Sequence, residues 1–177
     1  HFIFLAVALF PTLVMLLFTK EHRVRRLLAF LDPYEDPIGT GYQVIAARSA
    51  LGRGGLWGGG LGMGTRKLGG LPEAHSDFIF AVFGEEAGFL GVLFILSLFL
   101  AIAVRGYIIA LRLRHKSLFA YYLVFGLTTA IFFQGLLNMA VVCGMVPATG
   151  LPLPFFSNGG SSLLVTMLMA GVILGAS

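Results

Sequence analysis

The chain has 177 residues and a formal net charge of +4, with 58% hydrophobic and only 11% charged residues. A soluble domain contains about 25% charged residues, so the composition excludes an ordinary soluble protein and indicates an integral membrane protein. The basic residues are few and scattered among apolar segments. They argue against a nucleic-acid surface and fit anionic lipid headgroups or a phosphorylated substrate better.

We expect the chain to be a piece of a longer polytopic protein, because it begins and ends inside apolar runs. The run at 1–19 is predicted to be a membrane span kinked at Pro11, and it lacks the basic region and cleavage site of a signal peptide. The basic segment 20–26 adjoins an apolar stripe and predicts a short interfacial amphipathic helix. Asp32-Pro33 should end that helix.

Two polar segments follow before the next span. The turn at 32–37 holds three acids and is either a solvated loop or a site for a divalent cation, magnesium or manganese. Helical spacing of Tyr42, Ile45 and Ser49 then predicts a short helix over 41–51. The glycine-rich segment 52–64 lacks the preceding strand and the Gly-Lys-Ser/Thr order of a phosphate-binding loop. We therefore interpret its glycines as sites of tight turns and close backbone approach.

Three further apolar segments predict membrane spans at 78–110, 118–145 and 161–177. Together with the first run they make an all-α polytopic membrane domain of four transmembrane helices. The second span is too long for one straight crossing, and its glycines predict a break. The positive-inside rule gives conflicting signals, because the basic clusters at 20–26 and 105–116 are separated by one span and lie on opposite sides of the membrane. The rule weighs short loops most, so we place the loop 111–117 in the cytoplasm, and the loops at 20–77 and 146–160 then face outward.

The most unusual polar cluster lies where the long loop meets the second span. It holds Glu73, His75 and Asp77 within five residues. Asp77 is suited to cap the following helix and also to act as a general base at a membrane surface, and both roles are compatible. His75 is interpreted as a hydrogen-bond partner and Glu73 as a loop acid. These three side chains alone form no metal triad.

Four polar side chains lie inside the predicted spans. Acids are costly in apolar segments, so we expect Glu85 and Glu86 either to have a functional role or to pair with a cation elsewhere in the longer protein. Gln134 and Asn138 share a helix face, and we predict that they form interhelical hydrogen bonds.

The start of the last span is a further candidate site. Ser157 and Ser161 flank it in the sequence Ser-Asn-Gly-Gly-Ser-Ser, which is either an ordinary cap and turn or a helix start that attracts an anion. Taken together, the residues predict an outward polar site that contains Asp77 and binds an anionic lipid-linked molecule. They do not identify a reaction.

Three blocks of sequence resemble the SEDS family (shape, elongation, division and sporulation), which includes FtsW, RodA and SpoVE. The blocks are 32–43, beginning Asp-Pro-Tyr-Glu-Asp-Pro; 71–81 followed by Gly-Glu-Glu at 84–86; and 144–147 with 152–162. The Pro-Glu-Ala-His at 72–75 and the closing Gly-Gly-Ser-Ser are more similar to FtsW than to RodA.

The resemblance implies a peptidoglycan glycosyltransferase of the bacterial cytoplasmic membrane, of whose ten spans this chain would supply four. It implies lipid II as the substrate, undecaprenyl pyrophosphate as the leaving group, and a class B penicillin-binding protein as partner, alongside other division or elongation proteins. Asp77 matches the essential aspartate proposed to deprotonate the acceptor sugar hydroxyl, with Glu73, His75 and Ser157 in support. Candidate pyrophosphate or headgroup contacts are Arg23, Arg25, Arg26, Arg66 and Lys67.

The chain departs from the family pattern at Gly69, where an acid is common, at Ser76, where threonine is usual, and at Asn158, where tyrosine is usual. Two other functions stay open. A lipid II transporter could use Glu85, Glu86 and the helix break as part of a path, whereas a scaffold of a division complex would not need Asp77. The position of Asp77 at a loop–helix boundary favours the enzyme.

Overall fold

A computed structural model describes residues 21–37, 39, 41–60, 62, 79–157 and 159–177. The predicted span at 1–19 and the segment 63–78 lie outside the described residues. Within the described part the chain forms helices and no strand, in agreement with the all-α prediction. The helices are α1 (Glu21–Leu31), α2 (Tyr42–Gly54), α3 (Ile79–Leu113), α4 (Leu118–Val142) and α5 (Gly160–Gly175).

The first two helices are short and follow the predicted boundaries closely. α1 ends immediately before Asp32-Pro33, where the backbone N–H of Asp32 donates to the carbonyl of Leu28 at 2.8 Å. α2 buries Ala46, Ala47 and Ala50, each at most 1% exposed. Such small side chains let α2 approach α3 closely, and this contact forms one part of the core.

α3 and α4 are the two described helices that are long and apolar enough to cross a membrane. A straight helix of the 35 residues of α3 would be about 52 Å long, well beyond the roughly 30 Å of a hydrocarbon core. The helix is broken at Gly88, whose backbone has φ 67° and ψ −168°. The predicted break is therefore confirmed, with about nine residues before it and about 25 after it.

Small residues allow the second part of α3 to pack along α4. A side chain at Gly106 would collide with Thr128, and one at Gly135 would collide with the ring of Phe99. Glycines at such contacts let apolar helices approach closely. A short turn at 114–117 joins the two helices, and the Ser117 hydroxyl caps α4 by accepting from the N–H of Ala120 at 3.3 Å.

α5 has 16 residues, is apolar, and is shorter than the two span-length helices. It packs against α4 and buries Thr166 and Ile173. The chain between α4 and α5 returns to the end of the molecule that holds α1, α2 and the start of α3. The polar features of the candidate site lie at this end.

Candidate functional site

The structure describes only part of the predicted site. Five of the predicted site residues lie outside the described residues: Asp77, Glu73, His75, Arg66 and Lys67. For Arg23, the structure describes the backbone within α1 but not the side chain. α3 begins at Ile79, two residues after Asp77 in the sequence. The surroundings of the start of α3 are therefore the described part of the candidate site.

Glu85 is the buried acid of the first part of α3. It is 6% exposed, and its Oε1 lies 3.9 Å from Nη1 of Arg53 at the end of α2. We expected either a functional role for this acid or a cation elsewhere in the longer protein. The second alternative is wrong for Glu85, because the neighbouring helix supplies the cation. Nothing in the sequence spacing links Arg53 to Glu85, so sequence reasoning missed this residue.

A glycine-rich turn after α2 lies directly against the break in α3. The N–H groups of Gly59 and Gly60 donate to the carbonyls of Glu85 and Glu86 at 3.0 and 3.1 Å. In return, the N–H of Phe89 donates to the carbonyl of Gly55 at 2.9 Å. Backbone groups released by a helix break are costly when they stay unpaired in an apolar setting. Here the turn supplies their partners.

Close approach of the two backbones requires glycine. A side chain at Gly58 would collide with the carbonyl of Glu86, and one at Gly88 would collide with the backbone of Gly58 and Leu56. Gly58 also has φ 79°, a conformation that other residues rarely adopt. The interpretation of these glycines as sites of tight turns and close approach is confirmed.

Glu86 lies beside this contact and is half-buried. Its Oε1 is buried and has no hydrogen-bond partner among the residues that the structure describes. Two consecutive acids thus lie just before the break. Glu85 is paired with Arg53, and Glu86 has one buried carboxylate oxygen.

The loop after α4 is held against α1 and α2 by two arginines. Nη1 of Arg26 donates to the carbonyl of Ala148 at 3.3 Å, and Nη2 of Arg48 donates to the carbonyl of Gly144 at 3.2 Å. Parts of the two loops predicted to face the same side of the membrane are thus in contact. Arg26, predicted as a pyrophosphate contact, is engaged in holding this loop.

Gln134 and Asn138 also hold this loop. Nε2 of Gln134 donates to the carbonyl of Pro152 at 2.9 Å, and Nδ2 of Asn138 donates to the carbonyl of Leu151 at 2.8 Å. We predicted that these amides would join two helices. The observed bonds instead join α4 to an extended segment, whose backbone carbonyls have no partners of their own within a helix or a sheet.

The loop enters the helical bundle and does not stay on its surface. Leu153, Pro154 and Ser157 are buried, and the ring of Phe156 packs edge-on against Phe83 of α3 with centroids 6.3 Å apart. Phe155 has φ 67°, an outlier for a bulky residue. The sequence contained a signal for this burial, because 151–156 is entirely apolar or proline, but we had predicted a plain loop.

The two serines at the start of α5 lie in different environments. Ser157 is 3% exposed, and its N–H donates to the carbonyl of Leu153 at 3.0 Å within the loop. Ser161 is exposed in the first turn of α5. The N-cap residue, Gly159, makes no side-chain cap. Among the described residues, no side chain therefore caps this helix, and the chain before it forms a turn at 154–156.

The acidic turn after α1 forms a separate feature. Arg25 lines a cavity of about 360 Å³ together with Asp32, Glu35 and Asp36. Oxygen Oδ1 of Asp32 accepts from the N–H of Tyr34 at 3.0 Å, which is typical of a turn. Arg25 therefore lies among acids, a setting that disfavours an anionic ligand. In the described part of the chain, no three His, Cys, Asp or Glu side chains converge in a way that could hold a metal ion.

These contacts build the polar end of the molecule that holds the candidate site. The first part of α3 contacts the glycine-rich turn through the carbonyls of Glu85 and Glu86. It also pairs with Arg53 through Glu85 and packs against the buried loop through Phe83.

Comparison with known proteins adds independent information. A family model described as cell cycle protein, FtsW/RodA/SpoVE, matches residues 1–177. A probable peptidoglycan glycosyltransferase FtsW of Borreliella burgdorferi is 50% identical over 98% of this chain and 47% of its own length. Stage V sporulation protein E of Bacillus subtilis is 41% identical over 100% of this chain and 48% of its own. The chain therefore spans about half the length of these curated relatives.

A solved structure shows the same similarity. The chain matches a component of a peptidoglycan synthase complex, described as coordinating polymerization and crosslinking, with a TM-score of 0.69 and 32% identity. The match covers 98% of this chain and 47% of the solved one.

Proposed function

Because the chain belongs to the FtsW/RodA/SpoVE family of cell cycle proteins and is part of a bacterial membrane protein, we propose that the whole protein is a peptidoglycan glycosyltransferase. It polymerises lipid II into glycan strands during cell division. The observation that carries this proposal is the 50% identity to a relative named as such an enzyme, over 98% of the chain.

The reaction assigned to Asp77 is general-base catalysis. Its carboxylate takes the proton from the acceptor sugar 4-hydroxyl, and the hydroxyl oxygen forms a bond to the anomeric carbon of the donor. The bond from that carbon to the pyrophosphate oxygen breaks, and undecaprenyl pyrophosphate leaves with the electron pair. The configuration is inverted, because attack and departure occur on opposite faces.

The leaving group carries negative charge, so cationic and N–H groups should surround it. We propose Arg23, Arg66 and Lys67 for this role, together with the uncapped start of α5 at Ser161. Arg25 and Arg26 are less suited, because Arg25 lies among acids and Arg26 donates to the loop carbonyl of Ala148. Glu73 and His75 orient the substrate near Asp77.

The partner we propose is a class B penicillin-binding protein, which crosslinks the new strand. The similarity to a component of a peptidoglycan synthase complex supports this proposal. We further propose that the chain contributes four of ten membrane spans, with the site on the outer face of the cytoplasmic membrane. The hydrogen bonds that join 143–152 to α1 and α2 support a common side for these loops.

A lipid II transporter is the second candidate, favoured by the broken helix with its buried acids. Transporters use the free carbonyls of broken helices to coordinate ions or substrates. Here the carbonyls of Glu85 and Glu86 accept from Gly59 and Gly60, and Glu85 is paired with Arg53. These groups already have partners inside the protein, which supports the enzyme over the transporter.

The proposal is tested with the full-length protein, purified with its penicillin-binding partner after the partner's own active site has been blocked. Labelled lipid II is supplied in detergent, and glycan polymer is resolved by gel. We expect polymer from the unmodified protein and at least a hundredfold less from Asp77→Asn, since general-base catalysis contributes about 10²–10⁴ in rate. The matched control is Glu35→Gln, which removes an exposed loop acid and should leave the rate unchanged.

Equal amounts of glycan polymer from the unmodified protein and from Asp77→Asn would mean that Asp77 is not the general base and serves only to cap the helix. No polymer from either, together with lipid II crossing the bilayer of protein-containing vesicles, would replace the enzyme by the transporter.

A further inference from the structure

The charges of the chain are distributed very unevenly. All eight Asp and Glu residues precede residue 87, and the only Lys and Arg residues after it are four within 105–116. Among the described residues, the side chains of Arg105, Arg112 and Lys116 form no ion pair or hydrogen bond. The end of the molecule opposite to the candidate site thus carries three cations that pair with none of the described acids.

Three of these cations face one cavity. Arg105, Arg112 and Lys116 line a space of about 350 Å³ between the last turns of α3 and the end of α5. Arg105 and Arg112 are seven residues apart and therefore lie on the same face of α3, about 10 Å apart along its axis. Arg114 lies in the following turn, is exposed, and does not line the cavity.

An apolar groove of about 450 Å³ continues from this cavity. Arg105 and Ile109 line both spaces, and the groove then runs between α3 and α5 past Ala101, Ile102 and Ile173. Among the residues that the structure describes, no other charged side chain lines this groove. A cluster of cations thus opens directly into an apolar groove between α3 and α5.

We propose that this cavity and groove bind one anionic phospholipid, with the phosphate against Arg105, Arg112 and Lys116 and an acyl chain in the groove. Cations near the membrane surface attract acidic headgroups, and basic pockets between membrane helices on the cytoplasmic side are suited to bind them. Residues 111–117 are the loop that the positive-inside rule assigns to the cytoplasm. A soluble phosphate compound would leave the apolar groove unfilled. The proposal does not depend on the glycosyltransferase reaction.

The test uses the full-length protein in neutral detergent, titrated with phosphatidylglycerol or phosphatidylcholine and followed by native mass spectrometry. We expect phosphatidylglycerol to bind more tightly than phosphatidylcholine. Arg105→Gln and Arg112→Gln should each weaken phosphatidylglycerol binding about fivefold. The matched control Arg114→Gln removes the same charge outside the cavity and should stay within about twofold of the unmodified protein. Arg112→Lys should retain most of the binding.

The groove is tested separately. Ala101→Phe fills it from an exposed position and should weaken phosphatidylglycerol binding, whereas Ala130→Phe, exposed on α4 and outside the groove, should not. Equal losses for Arg112→Gln and Arg114→Gln would overturn the site in favour of diffuse surface charge. Displacement of the lipid by glycerol 3-phosphate at equal concentration would also overturn it. A lower melting temperature of Arg112→Gln with unchanged lipid binding would show that the cations pair within the longer protein instead.

Discussion

Arg53 reaches Glu85 from a different helix, and the two partners differ in exposure. The Arg53 side chain is 56% exposed, and the Glu85 side chain is 8% exposed. An exposed partner is screened by solvent, so the attraction itself is weak. The buried partner nevertheless depends on it, because an acid left without a counter-charge in an apolar setting is costly. The pair therefore contributes to stability mainly because loss of Arg53 would leave the buried Glu85 carboxylate without a counter-charge.

Arg53→Gln tests this dependence. We expect it to destabilise the full-length protein by about 1–3 kcal/mol, and Glu85→Gln in the same background to restore part of the loss, because a neutral amide needs no cation. Thermal unfolding in detergent measures both effects. Arg114→Gln, an exposed cation in the turn after α3, serves as the control. If the double variant were as unstable as the sum of the single variants, the two side chains would not be coupled.

At the scale of elements, the broken helix α3 and the glycine-rich turn form a single unit. The break exposes backbone donors and acceptors, and the turn pairs with them on both sides of Gly88. Neither part would be stable alone in an apolar environment, because unpaired backbone groups there cost several kcal/mol each. The glycine-rich turn is thus needed because it supplies hydrogen-bond partners to the backbone groups released by the break in α3.

Gly58→Ala should disrupt this unit. The new methyl group would meet the carbonyl of Glu86, and the backbone at φ 79° disfavours any side chain. We expect a loss of more than about 2 kcal/mol in stability and faster hydrogen exchange at Gly59, Gly60 and Phe89. Two controls separate the causes. Gly52→Ala lies in α2 with open space around it and should be neutral or stabilising.

The second control, Gly55→Ala, has a positive φ of 52° but open space, so it reports backbone strain without collision. A loss equal to that of Gly58→Ala would assign the effect to strain alone, and the close approach would then not be the cause.

At the scale of the whole molecule, the two ends differ in chemistry. One end collects the loops, the acids and the broken helix, and its parts are joined by hydrogen bonds between segments far apart in sequence. The other end holds the cations of 105–116, which pair with none of the acids that the structure describes. Opposite ends of a membrane protein meet different leaflets, and the positive end is expected to lie in the cytoplasm. The shortness of the basic loop 111–117 therefore supports the proposed orientation, in which the loops of the candidate site face outward.

The buried loop between α4 and α5 should depend on its amide anchors. Asn138 is 2% exposed and donates to Leu151, so Asn138→Leu would leave a carbonyl without its donor at a cost of about 1–3 kcal/mol. We expect faster hydrogen exchange and faster proteolysis within 146–157. Ser97→Ala, which removes an exposed hydroxyl that bonds within its own helix, should change neither. Unchanged exchange in Asn138→Leu would mean that packing alone holds the loop.

The sequence by itself determined the features that depend on composition and local spacing. The all-α fold, the end of α1 before Asp32-Pro33 and the break in α3 all follow from the apolar content, proline geometry and glycine preferences of a few neighbouring residues. The family resemblance was likewise visible in contiguous blocks, and the family match agrees with it. The role of Asp77 stays a prediction, because its segment lies outside the described residues.

Only the tertiary structure decided which distant residues meet. The pairing of Arg53 with Glu85, the anchoring of Leu151 and Pro152 by Asn138 and Gln134, and the cavity shared by Arg112 and Ala176 join residues that have no regular spacing in the chain. Such contacts depend on how helices cross and where a loop turns inward. These long-range contacts are set by the packing of the whole bundle, so they cannot be predicted from the local preferences of each segment.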